Sequence, residues 1–120
     1  VRAGVPVLAV QQIEGRIAVD AALARTDDMF FLRVRGDSMI DAHILDGDLA
    51  LIRPQSRVEQ GEIAAVLVGD EATIKYFFKE QHAIRLQPAN AAMKPLRIAA
   101  GGKDTVRIIG KVAGIVRRME

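Results

Sequence analysis

Residues 62–78 read EIAAVLVGDEATIKYFF, which is two apolar runs separated by a short polar turn. Short runs rich in Val, Ile and aromatic residues are typical of β-strands, and glycine followed by aspartate is typical of a hairpin turn. The stretch therefore predicts strands over Glu62–Val68 and Ala72–Phe78, joined at Val68-Gly69-Asp70. In the second strand, alternation places Thr73 and Lys75 on the same face.

Outward from this hairpin the same pattern repeats. Six more runs are predicted to be strands: Val7–Gln11, Phe30–Arg35, Asp48–Arg53, Ala83–Gln87, Leu96–Ala99 and Thr105–Val116. Helix is expected only as a short turn over Met39–Ile44 and a weak stretch over Asp20–Arg25. Gly110 and Gly114 inside the last strand indicate bulges or bends. The fold class is mainly β, with twisted sheets folded over each other.

Composition limits the function classes. The chain has 120 residues, 50% hydrophobic and 27% charged, which suits one globular domain. No apolar run approaches the roughly 20 residues of a membrane helix. The lack of cysteine excludes disulfides, cysteine zinc sites and thiol nucleophiles, and fits a reducing cytoplasm. A net charge of +2 with 4% aromatic residues argues against nucleic-acid binding by this chain itself.

Ser38 is the first residue that could carry chemistry. It follows a predicted strand and Gly36, at the start of a predicted helical turn. Such a turn can expose a serine hydroxyl beside unpaired main-chain N–H groups, which is the arrangement an oxyanion hole needs. The same position also suits a serine that only caps the helical turn, and this second interpretation stays open.

Lys75 is the second candidate, because apolar residues surround it in its strand. Burial disfavours the ammonium and lowers a lysine pKa, so a neutral Lys75 could take a proton from a serine hydroxyl. Thr73, on the same face, could orient the amine. The alternative is a solvated strand lysine whose amine reaches water.

The remaining polar residues give weaker signals. The acidic cluster Asp37, Asp41, Asp46 and Asp48 does not have the spacing of a calcium loop, so it is interpreted as turn and cap chemistry. His43 and His82 have no spacing that supports a ligand pair or a catalytic triad, and both are expected to be structural or surface residues. We therefore expect no metal and no cofactor.

Taken together, these residues resemble the C-terminal domain of LexA-type repressors, and the resemblance covers essentially the whole chain. Its most specific parts are Gly36-Asp37-Ser38-Met39, Asp46-Gly47-Asp48-Leu49 and Thr73-Ile74-Lys75. The segment Leu86-Gln87-Pro88-Ala89-Asn90, followed by Lys94-Pro95, is also similar. The resemblance implies a fold like that of signal peptidases.

The resemblance further implies a Ser–Lys dyad, with Ser38 as the nucleophile, Lys75 as the general base and the main-chain N–H groups of Asp37 and Ser38 as oxyanion donors. In that family the substrate is the protein's own Ala-Gly bond, which corresponds here to Ala3-Gly4.

Residues 1–5 would then be a remnant of the self-cleavage loop, and residues 6–120 the peptidase and dimerisation domain. Because the chain begins with Val1, we expect it to be part of something longer, without the family's N-terminal helix-turn-helix domain.

The partners that the resemblance implies are a second copy in a homodimer, the RecA filament on single-stranded DNA as co-protease, and operator DNA through the helix-turn-helix domain. No membrane partner is implied. The long last strand, Thr105–Val116, is expected to offer an edge with which the second copy pairs. Three alternatives remain: a UmuD-type polymerase accessory protein, a phage repressor peptidase domain, and a non-catalytic dimerisation module. UmuD-type proteins usually cut Cys-Gly, whereas this chain has no cysteine.

Overall fold

A computed structural model of the protein describes residues 29–102 and 105–119. The predicted strand Val7–Gln11, the stretch Asp20–Arg25 and the Ala3-Gly4 bond lie outside these residues. The described strands are β1 (Phe30–Arg33), β2 (Leu49–Pro54), β3 (Ile63–Val68), β4 (Glu71–Lys79), β5 (Ala83–Gln87), β6 (Leu96–Ala99) and β7 (Val106–Val116). One short 3₁₀ helix spans Ile40–Ala42. The mainly β prediction is confirmed.

All seven described strands form one antiparallel sheet in the order β1-β2-β7-β3-β4-β5-β6. The predicted hairpin is its centre: β3 pairs with β4, Ala64 opposes Lys75, and Val66 opposes Thr73. Gly69 adopts a positive φ of 61° in the turn, a conformation that glycine adopts without strain.

Strand β3 is buried on both faces, because two apolar clusters lie on opposite sides of the sheet. Ala65 and Leu67 contribute to the first cluster, whereas Ala64 and Val66 contribute to the second. The first cluster also contains side chains from β1, β2, β4 and β7, and the second contains side chains from β4, β5 and β6. The sheet therefore has a core on each side.

Strand β7 is shared between the two halves of the sheet. Its N-terminal half pairs with β3 and its C-terminal half pairs with β2, with an overlap at Gly110 and Lys111. The expected edge over Thr105–Val116 is therefore not an outer edge, since β7 lies between two strands. On the side of β7 that faces β3, the first half of the strand pairs with β3, whereas residues 112–116 have no partner among the described strands.

The predicted irregularities in β7 are confirmed. The pairing register shifts once against β3 and once against β2, close to Gly110 and Gly114 respectively. Strict alternation would place Ile109 and Val112 on opposite faces, yet both pack in the first apolar cluster. The bulges therefore keep β7 in register with the core while the strand bends.

In the part of the chain that the structure describes, no helix has the length and apolar character needed to cross a bilayer.

Gly110 gives a direct test of this shared strand. A Cβ on Gly110 would overlap the carbonyl oxygen of Arg53 and lie 2.8 Å from Cγ2 of Ile52. We predict that Gly110→Ala lowers the free energy of unfolding by about 1–3 kcal/mol or more, as measured by urea titration. Gly114→Ala is the matched control, because no atom lies within 4 Å of its Cβ position. Equal stability of the two variants would contradict the close approach of β2 and β7.

Candidate active site

Ser38 lies where the chain leaves β1 and turns. Gly36 adopts a positive φ of 81°, and the side chain of Met39 is buried in the first apolar cluster with 2% of its surface exposed. The buried methionine anchors the turn, while Ser38 stays half-buried beside a cavity. The N-cap of the 3₁₀ helix is Met39 and no side chain caps it, so the interpretation of Ser38 as a helix cap is wrong.

Lys75 occupies the middle of β4 and is half-buried. Its Nζ donates a hydrogen bond to Oγ1 of Thr73 at 2.5 Å, as the shared strand face predicts. Desolvation lowers the pKa of Lys75, although the carboxylate of Glu71 partly opposes this shift by favouring the ammonium. These observations argue against a freely solvated lysine and favour an amine that loses its proton more easily than usual.

The structure brings these residues to one cavity of about 550 Å³. Ser38, Lys75, Thr73 and Asp37 line it together with apolar side chains that include Ile74. Ser38 and Lys75 are 37 positions apart in the sequence, so the fold, and not local structure, places them together. Among the described residues, the amine of Lys75 bonds to Thr73 and not to Ser38.

The main-chain N–H groups and the carbonyl group of this turn differ in whether they are hydrogen-bonded. In the described part of the chain, the N–H groups of Asp37 and Ser38 donate to no other residue. The carbonyl oxygen of Asp37, in contrast, accepts from the N–H of Ile40 at 3.3 Å and from Nδ2 of Asn90 at 2.9 Å. Among the described residues, the turn therefore has two unpaired N–H donors, on residues that line the cavity, and a paired carbonyl.

Two of the clustered aspartates hold the connection between β1 and β2, which contains this turn. Oδ1 of Asp46 accepts the N–H of Gly36 at 2.7 Å, and Oδ2 of Asp48 accepts the N–H of Leu45 at 2.8 Å. Asp48 also accepts two bonds from Arg117, from Nε at 2.7 Å and from Nη2 at 2.8 Å. This arrangement confirms turn chemistry for Asp46 and Asp48.

Asp48 is 2% exposed, and the hydrogen bond from Arg117 holds its pKa below the usual value. Arg117 makes a third hydrogen bond, in which its Nη2 donates to the carbonyl oxygen of His43, and this bond joins the end of β7 to the same loop.

The other candidates lie outside the cavity lining. His43 and His82 are both exposed, as expected for surface residues. Within residues 29–102 and 105–119, no three acidic or histidine side chains are grouped so that they could hold a metal ion.

Sequence reasoning gave no role to three residues near the site: Arg117, Glu71 and Asn90. Arg117 lies 69 positions from Asp48, so no local spacing indicates their pairing. The position of Glu71 two residues before Thr73 could have indicated that it shares the face of Lys75.

Comparison with known proteins points to one family. The sequence profile of the family described as Peptidase S24-like matches residues 1–113. Over the whole chain, the sequence is 53% identical to a LexA repressor of Geotalea uraniireducens (strain Rf4), covering 59% of that protein. It is 51% identical over 99% of its length to a LexA repressor of Caldicellulosiruptor saccharolyticus, covering 56% of that protein. The chain thus spans a little over half the length of these curated relatives.

The carboxylate of Asp48 provides a pH-dependent test of the turn. A carboxyl whose folded-state pKa is lowered stabilises the fold above its unfolded pKa of about 3.9, and this contribution is lost as the pH falls through the folded-state pKa. We predict that Asp48→Asn lowers the free energy of unfolding by about 2 kcal/mol at pH 7, since bonds to a charged group are lost. The deficit relative to wild type should shrink as the pH falls below about 4.

The control is Asp41→Asn, which removes an exposed carboxylate from the same loop and should leave stability within about 0.5 kcal/mol of wild type. Urea titrations between pH 3 and pH 7 measure both variants. A deficit for Asp48→Asn that is constant across this range would contradict the assignment.

Proposed function

The chain belongs to the Peptidase S24-like family, and we propose that it is the self-cleaving peptidase domain of a LexA-type repressor. Ser38 is the nucleophile and Lys75 the general base, as in a serine endopeptidase with a Ser–Lys dyad. The observation that carries the proposal is that a serine hydroxyl and a lysine of lowered pKa line the same cavity, 37 residues apart in the sequence.

Cleavage follows an acyl-transfer cycle at the Ala3-Gly4 bond. Neutral Lys75 takes the hydroxyl proton as Oγ of Ser38 attacks the carbonyl carbon of Ala3. The N–H groups of Asp37 and Ser38 hold the oxyanion, and removal of one such donor costs about 10²–10³ in rate in comparable sites. The C–N bond then breaks, and the proton on Lys75 goes to the amine of Gly4. Water, activated by the same lysine, hydrolyses the ester.

Docking of the cleavage loop supplies the control step. The half-buried Lys75 loses more water when the loop covers the cavity, so docking further favours the neutral amine. A RecA filament on single-stranded DNA stimulates cleavage if it binds the docked conformer better than the open one, because a partner shifts an equilibrium only by its differential affinity. No cofactor takes part.

The biological role follows from the relatives named LexA repressor. A separate helix-turn-helix domain binds operator DNA, and this domain makes a cytoplasmic homodimer. On one side, residues 112–116 of β7 have no partner among the described strands, and this side offers a strand segment with which a second copy can pair. Cleavage at Ala3-Gly4 separates the two domains and relieves repression after DNA damage.

The dyad is tested by Ser38→Ala and Lys75→Ala in the full-length protein. Each change should reduce the appearance of a C-terminal fragment beginning at Gly4 by at least about 10³-fold, since a serine hydroxyl without its base is a poor nucleophile. The double variant should lose no more than either single variant, because nucleophile and base act as one unit. Intact-mass spectrometry identifies the fragment.

Circular dichroism checks that each variant is folded. Wild-type cleavage rates in both folded single variants would remove the basis for the dyad.

The charge of Glu71 gives an independent test of Lys75 as the base. Because the carboxylate of Glu71 favours the ammonium, Glu71→Gln should lower the pKa of Lys75 further. The pH at which cleavage reaches half its maximal rate should then move down, and cleavage near neutral pH should become several-fold faster with the maximal rate unchanged. Asp70→Asn, which removes the neighbouring carboxylate, serves as the charge-matched control. A shift to higher pH in Glu71→Gln would contradict Lys75 as the base.

A further inference from the structure

Asn90 makes a long-range contact with the turn that carries Ser38. Its Nδ2 donates to the carbonyl oxygen of Asp37 at 2.9 Å across 53 positions of sequence. The other donor to this oxygen is the N–H of Ile40, at the longer distance of 3.3 Å. The shorter of the two bonds to this carbonyl therefore comes from a side chain in a different loop.

The hydrogen bond from Asn90 fixes the orientation of the whole peptide unit between Asp37 and Ser38, and not only its carbonyl oxygen. The C=O of Asp37 and the N–H of Ser38 belong to one planar peptide unit, and in a trans peptide they point in opposite directions. When Asn90 holds the carbonyl on one side, the N–H of Ser38 is directed to the other side. A rotation of this peptide that turned the N–H around would break the bonds from both Asn90 and Ile40.

Asn90 is itself held in one orientation. Its Oδ1 accepts the N–H of Ala92 at 2.9 Å, so the side-chain NH₂ is the group that faces Asp37. The carbonyl oxygen of the preceding residue, Ala89, accepts the N–H of Asp41 at 2.7 Å. The loop after β5 and the Ser38 turn are therefore joined at two points.

We propose that Asn90 is a positioning residue for the oxyanion site: through the carbonyl of Asp37 it keeps the N–H of Ser38 directed at the oxygen of the reacting carbonyl. The inference rests on the proposed function, since it presumes that Ser38 attacks a peptide bond. In this role Asn90 acts only through the carbonyl of Asp37, and it bonds neither to the substrate nor to the nucleophile. Without Asn90, the peptide keeps only the longer bond from Ile40, and conformers in which a carbonyl oxygen faces the developing negative charge become accessible.

The test compares two variants of Asn90 with a matched control. Asn90→Ala removes the amide without adding charge. Asn90→Asp keeps an oxygen for the N–H of Ala92 but cannot donate to Asp37, so the loop turn is preserved if the alanine variant folds poorly. Gln60→Ala is the control, because Nε2 of Gln60 also donates to a main-chain carbonyl, that of Lys79 at 2.8 Å, but away from the cavity.

Two rates are measured for each folded protein: self-cleavage as a function of pH, and covalent modification of Ser38 by a small alkyl fluorophosphonate above the pH midpoint. The phosphoryl oxygen of that reagent must occupy the oxyanion position, so its rate reports the donors directly. We expect both Asn90 variants to lose at least about tenfold in maximal cleavage rate and in labelling rate, since complete loss of a donor costs about 10²–10³. The pH midpoint should stay where it is in Asn90→Ala, and Gln60→Ala should match wild type in both rates.

The outcomes separate the two proposals. Wild-type protein that neither cleaves nor labels at Ser38 would refute the proposed function itself. If wild type does both, maximal rates within twofold of wild type in the Asn90 variants would overturn the positioning role. A moved midpoint with an unchanged maximal rate in Asn90→Ala would also overturn it, because Asn90 would then act on Lys75 and not on the oxyanion donors.

Discussion

Loss of hydration at the amine of Lys75 is the constraint on which the site depends. Strand β4 pairs with β3 over residues 71–76 and with β5 over residues 76–79, so the amine cannot move away into solvent with its strand. The hydroxyl of Thr73 accepts one hydrogen bond from the amine but carries no charge, so it does not compensate the ammonium as a carboxylate would. Desolvation therefore prevails over the attraction of Glu71, and the pKa of the amine is lowered.

The proposed nucleophile, Ser38, is supported by parts of the chain that are distant in sequence. The bidentate pair between Arg117 and Asp48 joins the residue after β7 to the loop that follows Ser38, and Asn90 joins the loop after β5 to the turn itself. A loop serine held only by its neighbours would sample many orientations. Here each linked residue lies within four positions of a strand end, so the sheet restrains these links and the geometry of the turn depends on the whole fold.

The sequence predicted much of this arrangement, and the limits have physical causes. Strands β5 and β6 were predicted to the residue, because Gly, Pro and polar residues bound their apolar runs. Thr73 and Lys75 could be assigned to one face from alternation alone. The order of strands was not accessible, because nothing local shows that β7 lies between β2 and β3. Of the edge expected over Thr105–Val116, only residues 112–116 have a side without a partner among the described strands. Arg117 and Asn90 were missed as partners because their contacts span 69 and 53 positions.

An NMR titration of the ¹³Cε shift of Lys75, in selectively labelled protein, measures how far burial lowers the pKa of this amine, and Lys75→Arg assigns the signal. We expect a folded-state pKa clearly below the ordinary value of about 10.4, and a return to that value when the chain is unfolded in urea. A folded-state pKa at or above 10.4 would show that the amine remains fully hydrated or ion-paired. In that case desolvation would not explain how Lys75 could act as the base.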